Sequence, residues 1–447
     1  MLAIVTNAVS VLAYLLSTVV ILRRHTRYLP LFGFVSLTQL WTLVSCFYND
    51  LGIYNFELFR YTSVTFATTR LALFYVVFNI GFAVIAAILR HRVPVRRDYD
   101  LLSRPINMAW LKLIAYVIVG FVLGYVLCRA AVSGLPVLQG IDRLAYLRQA
   151  APVDRLVLAW GPLLAFVLGM TRKKRKPLSW NGALLLTVLT YAVAVGHKFS
   201  FLSDLLMAYW IPVFARWVAS ERKWHPVKLR YCVYVGLFVF VSGSTAYAIY
   251  AQRLGTMSGA RSLLTNRALS FQGEMWWAVD NQVIDAGSHE AGHWLDELGY
   301  LTDPDSHTRE SVGMRYLMVK VLGAQRAHAI FEVGYLYTMA YPAILVATFP
   351  YSVALIFQLL AGVLFCLLLF YLHFALVSDH KLRAIIAFLI IIPFIAMLWT
   401  GNFFVFFTVG VVVKALVLVT LESLPGFHLA KAGDLVRLRT APLSKQG

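Results

Sequence analysis

Two short polar stretches in this chain carry cations where an anionic ligand could bind. Arg143 and Arg148 lie in a segment whose apolar residues recur every third position, which predicts an amphipathic helix on a membrane surface. Lys198 lies in a turn between two apolar runs, and Asp204 follows just inside the second run. Guanidinium and ammonium groups bind phosphate oxygens through charge-assisted hydrogen bonds, so one interpretation is an anion site. The alternatives are lipid headgroup contact or an ion pair with Asp142 or Asp154 for the arginines, and an ion pair with Asp204 for the lysine.

A third stretch, residues 267–277, reads Arg-Ala-Leu-Ser-Phe-Gln-Gly-Glu-Met-Trp-Trp. Arg267 could bind a phosphate, while the amide of Gln272 and the carboxylate of Glu274 could hydrogen-bond sugar hydroxyls. The indoles of Trp276 and Trp277 could pack on sugar rings, because their faces are apolar. The composition therefore suits a phosphorylated sugar. An aromatic belt at the membrane interface would also explain the two tryptophans.

A fourth stretch matches the H-E-x-x-H pattern of zinc proteases. On a helix, His289 and His293 would share one face and bind zinc, and Glu290 would activate the bound water as a general base. Gly287 and Gly292 weaken such a helix. We therefore interpret the match as incidental and expect no metal site, with zinc at this pair as the alternative.

The elements that must position these residues are membrane helices. The chain has 447 residues, of which 60% are hydrophobic and only 14% are charged; soluble domains carry roughly 25% charged residues. Runs such as 2–21, 72–89 and 385–399 are near the length that crosses a hydrocarbon core. They lack the alternation of a transmembrane barrel. The sequence therefore predicts an all-α polytopic bundle.

The net charge of +19 has a topological explanation. More than half of the lysines and arginines fall in loops that would share one face, at 23–27, 90–104, 172–176, 216–230, 381–383 and the tail. The positive-inside rule makes those loops cytoplasmic. Such a distribution predicts contact with anionic lipids and argues against a nucleic-acid partner.

Placing the basic loops inside predicts about eleven spans, with the N-terminus outside and the C-terminus in the cytoplasm. They lie near 2–21, 29–47, 69–89, 108–127, 156–170, 178–196, 201–218, 231–250, 351–374, 384–400 and 403–420. Four regions follow: an eight-span region at 1–250, a large outer loop at 251–332, a region at 333–421 with three spans, and a cytoplasmic tail at 422–447. The segment 331–348 is predicted to be a re-entrant or interfacial half-helix on the outer side, because a full span there would put the last basic loops outside.

With this topology, the chain resembles the bacterial Wzy-type oligosaccharide repeat-unit (O-antigen) polymerases. The similarity is carried by the arginines of 143–148, by Gly196-His197-Lys198-Phe199-Ser200 and by 267–277, with weaker likeness at 313–318 and 334–346. It covers roughly residues 120–420 and concerns topology more than sequence. The histidine pair at 289 and 293 is a departure from the family pattern.

The resemblance implies a membrane-embedded glycosyltransferase of the GT-C type that polymerises undecaprenyl-pyrophosphate-linked repeat units at the outer face of the bacterial inner membrane. Such an enzyme would need no cofactor, and its partners would include a flippase and a chain-length regulator. Cations for the pyrophosphate would come from Arg148, Lys198, Arg267 and Arg315. The general base would be Glu274, Asp280 or His293. Further substrate contacts would come from Arg143, Gln272, Trp276, Trp277, Asp280, Arg315 and Tyr337.

Three rival functions remain open at this point. An O-antigen ligase would share the topology and the large outer loop but would use a lipid A core acceptor. A membrane zinc protease would use His289, Glu290 and His293. A transporter or flippase would move an anionic lipid-linked substrate without forming a bond.

The topology makes a direct prediction about sidedness. A reporter that is active only in the periplasm should be active when fused after Asp303 and inactive when fused after Lys174, because the basic loops hold 172–176 in the cytoplasm. The measurement is reporter activity in intact cells. Equal activity at both fusion points would contradict the predicted topology.

Overall fold

The structure is a computed structural model of the full chain. It describes residues 1–55, 58–89, 109–132, 152–172, 180–194, 199–219, 268–284, 310–333, 341–378, 380–401 and 405–423, with the isolated positions 247, 261, 264–266, 295–296 and 337. All structural statements below concern these residues.

The described residues are almost entirely helical. The helices are α1 (Leu2–Arg24), α2 (Leu29–Asn49), α3 (Ala67–Ile88), α4 (Ala109–Val132), α5 (Pro152–Met170), α6 (Trp180–Ala194), α7 (Phe199–Ala219), α8 (Glu274–Val279), α9 (Gly313–Leu322), α10 (Ala324–Val333), α11 (Ala343–Thr348), α12 (Tyr351–Val377), α13 (Lys381–Thr400) and α14 (Val409–Ser423). A 3-10 turn (Thr26–Tyr28) precedes α2, and a π-helical turn (Asp280–Ile284) continues α8. The strands β1 (Tyr54–Asn55) and β2 (Arg60–Tyr61) form a small antiparallel hairpin.

Five of the described helices are long and apolar enough to cross a membrane: α1, α2, α3, α12 and α13. A helix satisfies all of its internal backbone hydrogen bonds within one segment, which hydrocarbon requires. Shorter apolar helices lie at 113–125, 159–170 and 409–421. The prediction of an all-α membrane protein is therefore confirmed, while the number of spans, their sidedness and the region boundaries stay predictions.

Helices occur at ten of the eleven segments predicted as spans, with ends that differ by a few residues. The remaining segment, 231–250, lies outside the described residues apart from Tyr247. In the segment predicted as re-entrant, α10 ends at Val333 and the six-residue α11 begins at Ala343. All six residues of α11 are buried. The segment is thus not one continuous helix, and its depth in the membrane stays a prediction.

The centre of the bundle is the contact between α3 and α12. A Cβ atom added to Gly81 would lie 2.3 Å from the carbonyl oxygen of Leu359, and one added to Gly362 would lie 2.1 Å from the carbonyl oxygen of Phe78. Each glycine therefore allows the opposite backbone to approach closely, as small residues do between membrane helices. The ring of Phe365 packs against that of Phe78 beside this contact.

We expect Gly362→Ala to destabilise the protein. The added methyl would meet backbone rather than a flexible side chain, and overpacking of this kind costs about 1–3 kcal/mol. The measurement is the midpoint of thermal unfolding in detergent. Gly120→Ala in α4 is the matched control, because a Cβ there meets nothing within 4 Å. A Gly362→Ala midpoint equal to that of the control would contradict the close approach.

Candidate functional site

The segment 268–284 is buried over most of 270–280. It lies at the end of the bundle opposite the basic α1–α2 turn, and this end is called the outer end. The indole of Trp41 donates to the Ala268 carbonyl (2.6 Å), and the Ser45 hydroxyl donates to the Ser270 carbonyl (2.6 Å). The indole of Trp276 donates to the carbonyl of Ala67 (2.8 Å). These bonds tie the segment to α2 and to the start of α3. The part of the predicted outer loop that the structure describes here is therefore packed into the helices.

Gly273 makes this packing possible. A Cβ at this position would lie 2.1 Å from the backbone nitrogen of Cys46 in α2. The backbone N–H of Gly273 donates to the Ser45 hydroxyl (2.8 Å), which holds the start of α8 against α2. Only glycine permits two backbones to approach this closely. The glycine within the predicted sugar-binding stretch thus has a packing role.

Asp280 forms a buried ion pair with Arg70. The guanidinium donates through Nε to one carboxylate oxygen (2.7 Å) and through Nη2 to the other (2.6 Å), while Asp280 is 0% exposed. This two-bond geometry is the strong form of a charge-assisted pair. The ring of Phe74 packs on both Trp276 and Tyr351, which lies at the start of α12. The start of α12 is therefore close to the buried segment that contains Asp280.

Glu274 is 1% exposed and accepts a hydrogen bond from the Asn55 amide (3.1 Å). The same amide donates to the Ser270 hydroxyl (2.9 Å), so Asn55 joins the β1–β2 hairpin to the buried segment. Asn55 is the partner of Arg60 across the hairpin. Glu274 therefore helps to set the position of Arg60, and its predicted role as a general base stays a prediction.

Asp50 anchors the connection from α2 to α3 that carries the β1–β2 hairpin. Its carboxylate accepts hydrogen bonds from the Asn7 amide (2.9 Å) and from the hydroxyls of Thr65 (2.5 Å) and Thr68 (2.7 Å). It also accepts from the backbone N–H groups of Thr65 and Thr68, which satisfies donors at the start of α3. Burial raises the pKa of the Asp50 carboxyl, and the threonine hydrogen bonds oppose that rise. Asp50 thus holds α1, α2 and α3 together at the outer end.

Arg60 and Trp277 form the part of the outer end that most resembles a binding site. The guanidinium carbon of Arg60 lies 5.4 Å from the centre of the Trp277 ring, within cation–π range. The buried Nε and Nη2 of Arg60 and the buried Nε1 of Trp277 find no hydrogen-bond partner in the described part of the chain. Burial lowers the pKa of Arg60, although a guanidinium stays protonated in proteins. The site therefore combines one positive charge with three nitrogen atoms that can each donate a hydrogen bond, two on Arg60 and one on Trp277.

The backbone next to Arg60 is strained. Phe59 has a φ of 52°, a left-handed conformation that bulky side chains rarely adopt. Such strain persists where the surroundings impose it, and here the Asn55 side chain accepts a bond from the Leu58 N–H (2.9 Å). The turn that presents Arg60 is thus held in shape by its own hydrogen bond.

Three more cations lie on the helices that pack against α8 or follow them. The guanidinium carbon of Arg326 lies 5.8 Å from the centre of the ring of Phe59, the residue that precedes Arg60 in the chain. Arg315, predicted as a phosphate ligand, lies 4.7 Å from the centre of the Phe331 ring. Lys320 lies 5.5 Å from the ring of Tyr316. Cations packed on aromatic rings thus lie on α9 and α10, and their positive charge favours an anionic ligand.

The structure describes seven of the residues predicted to form the site. Trp276, Trp277, Glu274 and Asp280 are buried in one helical segment, Gln272 precedes them and is half-buried, and Arg315 lies on α9. The backbone N–H of Tyr337, a seventh, lies 3.5 Å from the sulfur of Met318 on α9. Outside the described residues lie the predicted positions Arg143, Arg148, Lys198, Arg267, His289, Glu290 and His293. The described residues contain no group of three His, Cys, Asp or Glu that could hold a metal ion.

Sequence reasoning missed Arg60 and Arg70. Both carried a signal: Arg60 lies in a loop predicted to be outside, where the positive-inside rule depletes arginine, and Arg70 lies at the start of a predicted span. The sequence offered no sign of their partners, because Asp280 lies 210 residues after Arg70.

Comparison with known proteins adds a partial match. Residues 307–415 match a family model described as a family of unknown function (DUF6418). The match includes α9 to α13 and the beginning of α14, and thus Arg315, Lys320 and Arg326, but not Arg60 or Trp277. No curated protein and no solved structure matches the chain.

Proposed function

We propose that the chain is a membrane glycosyltransferase that polymerises lipid-linked oligosaccharide repeat units, with the lipid pyrophosphate bound at Arg60 and Trp277. The observation that supports this is the set of buried N–H donors on these two residues that have no acceptor among the described residues. A buried donor without a partner costs about 1–3 kcal/mol, so such a set suits a ligand that brings acceptor oxygens. Pyrophosphate offers several such oxygens.

The proposed chemistry is the attack of an acceptor hydroxyl on the anomeric carbon of the donor sugar. The bond from that carbon to the pyrophosphate oxygen breaks, and negative charge develops on the leaving pyrophosphate. Arg60 would stabilise that charge with a cation already oriented by the Trp277 ring. Arg315 and Arg326 lie on neighbouring helices and would add to the field, together with the predicted Arg148, Lys198 and Arg267.

The hydroxyl proton must pass to a base, for which the candidates remain Glu274, Asp280 and His293. Glu274 accepts a bond from Asn55, and Asp280 is held by Arg70, so each already has a structural task. In this proposal the reaction takes place at the outer face of the bacterial inner membrane. Undecaprenyl-pyrophosphate-linked sugars are the substrates, and a flippase and a chain-length regulator act as partners.

The rival functions predict different products in cells. Deletion of the gene in its native host, followed by gels of the surface polysaccharide and extraction of lipid-linked sugars, separates them. Loss of the polymerase leaves single repeat units on the surface. Loss of a ligase leaves lipid-linked polymer inside the cell envelope, and loss of a flippase leaves lipid-linked single units on the cytoplasmic face. Unchanged polysaccharide after deletion would reject the proposal.

A further inference from the structure

The end of the bundle that carries the basic α1–α2 turn contains a second candidate site. A shallow pocket that is open to solvent lies between the 3-10 turn, α7 and α12. Leu31, Ile211 and Leu372 contribute apolar walls, and Arg27 and His373 contribute polar groups, as does Tyr28. This inner pocket lies at the opposite end of α1 from Arg60 and Trp277, so it is independent of the proposed function.

Several polar atoms of the inner pocket are buried and have no hydrogen-bond partner among the residues that the structure describes. His373 is 6% exposed, and its Nδ1 has no partner within the described ranges. The Nε and Nη2 of Arg27 are also buried without a partner, and the guanidinium lies 4.9 Å from the Tyr28 ring. The Tyr28 hydroxyl, on a residue 3% exposed, makes no hydrogen bond of standard geometry there. Three kinds of donor thus meet in one pocket.

The chemistry of these donors selects an oxyanion. Arg27 brings a positive charge and parallel N–H groups that fit two phosphate oxygens, and the Tyr28 hydroxyl and one His373 nitrogen can each donate to an oxygen. The apolar wall, in contrast, suits a hydrocarbon chain. Positive-inside bias places this basic turn beside the leaflet that is rich in anionic lipids.

We infer that the inner pocket binds a phosphate group, carried by the headgroup of an anionic phospholipid. Free phosphate offers the same oxygens but nothing for the apolar wall. Arg27 would bind the phosphate oxygens of either the phospholipid or free phosphate. Only the phospholipid has acyl chains that can also contact the apolar wall.

The test measures binding to the purified, delipidated full-length protein in detergent. The probes are dioctanoyl phosphatidylglycerol, dioctanoylglycerol (which has the same chains and no phosphate) and inorganic phosphate. We expect phosphatidylglycerol to bind at least about tenfold more tightly than dioctanoylglycerol, because charge-assisted hydrogen bonds are worth that or more. Equal binding of these two lipids would overturn the inference. Inorganic phosphate binding as tightly as phosphatidylglycerol would overturn the lipid source.

The variants assign the binding to this pocket. Arg27→Met should weaken phosphatidylglycerol binding about tenfold or more, since it keeps the length of the side chain and removes its donors. Arg24→Met removes an exposed arginine of the same region and should bind as the wild type does. Should Arg27→Met fail to fold, Tyr28→Phe keeps the ring contacts with Phe82 and removes one donor, and weaker binding is again expected. Wild-type affinity in whichever of the Arg27 and Tyr28 variants folds would overturn the site.

Discussion

Arg60→Ala is expected to abolish long surface polymer while the protein still accumulates in the membrane. Arg60 brings the cation of the proposed site, and its guanidinium is oriented by the Trp277 ring. Loss of one donor to a developing oxyanion typically lowers the rate by about 10²–10³, which is enough to leave only short chains. The measurement is a gel of surface polysaccharide from the native host, lacking the gene and carrying each variant.

Two further variants separate the role of the guanidinium from that of charge alone. Arg60→Lys should restore polymer only in part, because an ammonium keeps the charge but neither stacks on an indole nor donates in parallel. Arg23→Ala, which removes an exposed arginine at the opposite end, should leave the gel unchanged. A normal long ladder from Arg60→Ala would remove the basis for placing the pyrophosphate here.

Arg70→Met is expected to destabilise the folded protein by about 3–5 kcal/mol, since it leaves the buried carboxylate of Asp280 without its cation. Methionine preserves most of the length of the side chain, so the effect reports on charge and hydrogen bonding. The measurement is unfolding by denaturant in detergent. Because Asp280 lies at the end of α8, we also expect faster proteolysis within 268–284 before global unfolding.

A second substitution tests whether the unpaired charge is the cause. Arg70→Met combined with Asp280→Leu removes both partners, and replacement of a whole buried pair by apolar residues is often close to neutral. The double variant should therefore regain most of the stability that the single variant loses, which gives a large coupling free energy in the double-mutant cycle. Losses that simply add would mean that Asp280 depends on other partners more than on Arg70.

The helical framework could be predicted because its signal is local. The runs that became α1, α3, α12 and α13 are mostly apolar and 20 to 27 residues long. In hydrocarbon, a helix is the only single segment that satisfies its own backbone. The anion site stays a prediction, and the structure changes only which residues are proposed for it. Trp277 belonged to the predicted set, while Arg60 did not, since no local pattern relates a hairpin arginine to a tryptophan much later in the chain.

The amino-acid sequence by itself determined the class of this protein, an all-α membrane bundle, because the free energy of transferring apolar side chains depends on composition and length alone. Only the tertiary structure decided that most of 270–280 is buried. The sequence placed that segment in a long polar stretch predicted to be an outer loop. Its partners, such as Ser45, lie far away in the chain, 225 residues before Ser270. Polar groups of the segment such as Ser270 and Glu274 can be buried because Ser45 and Asn55 hydrogen-bond to them. The positions of these partners follow from the packing of α1, α2 and α3.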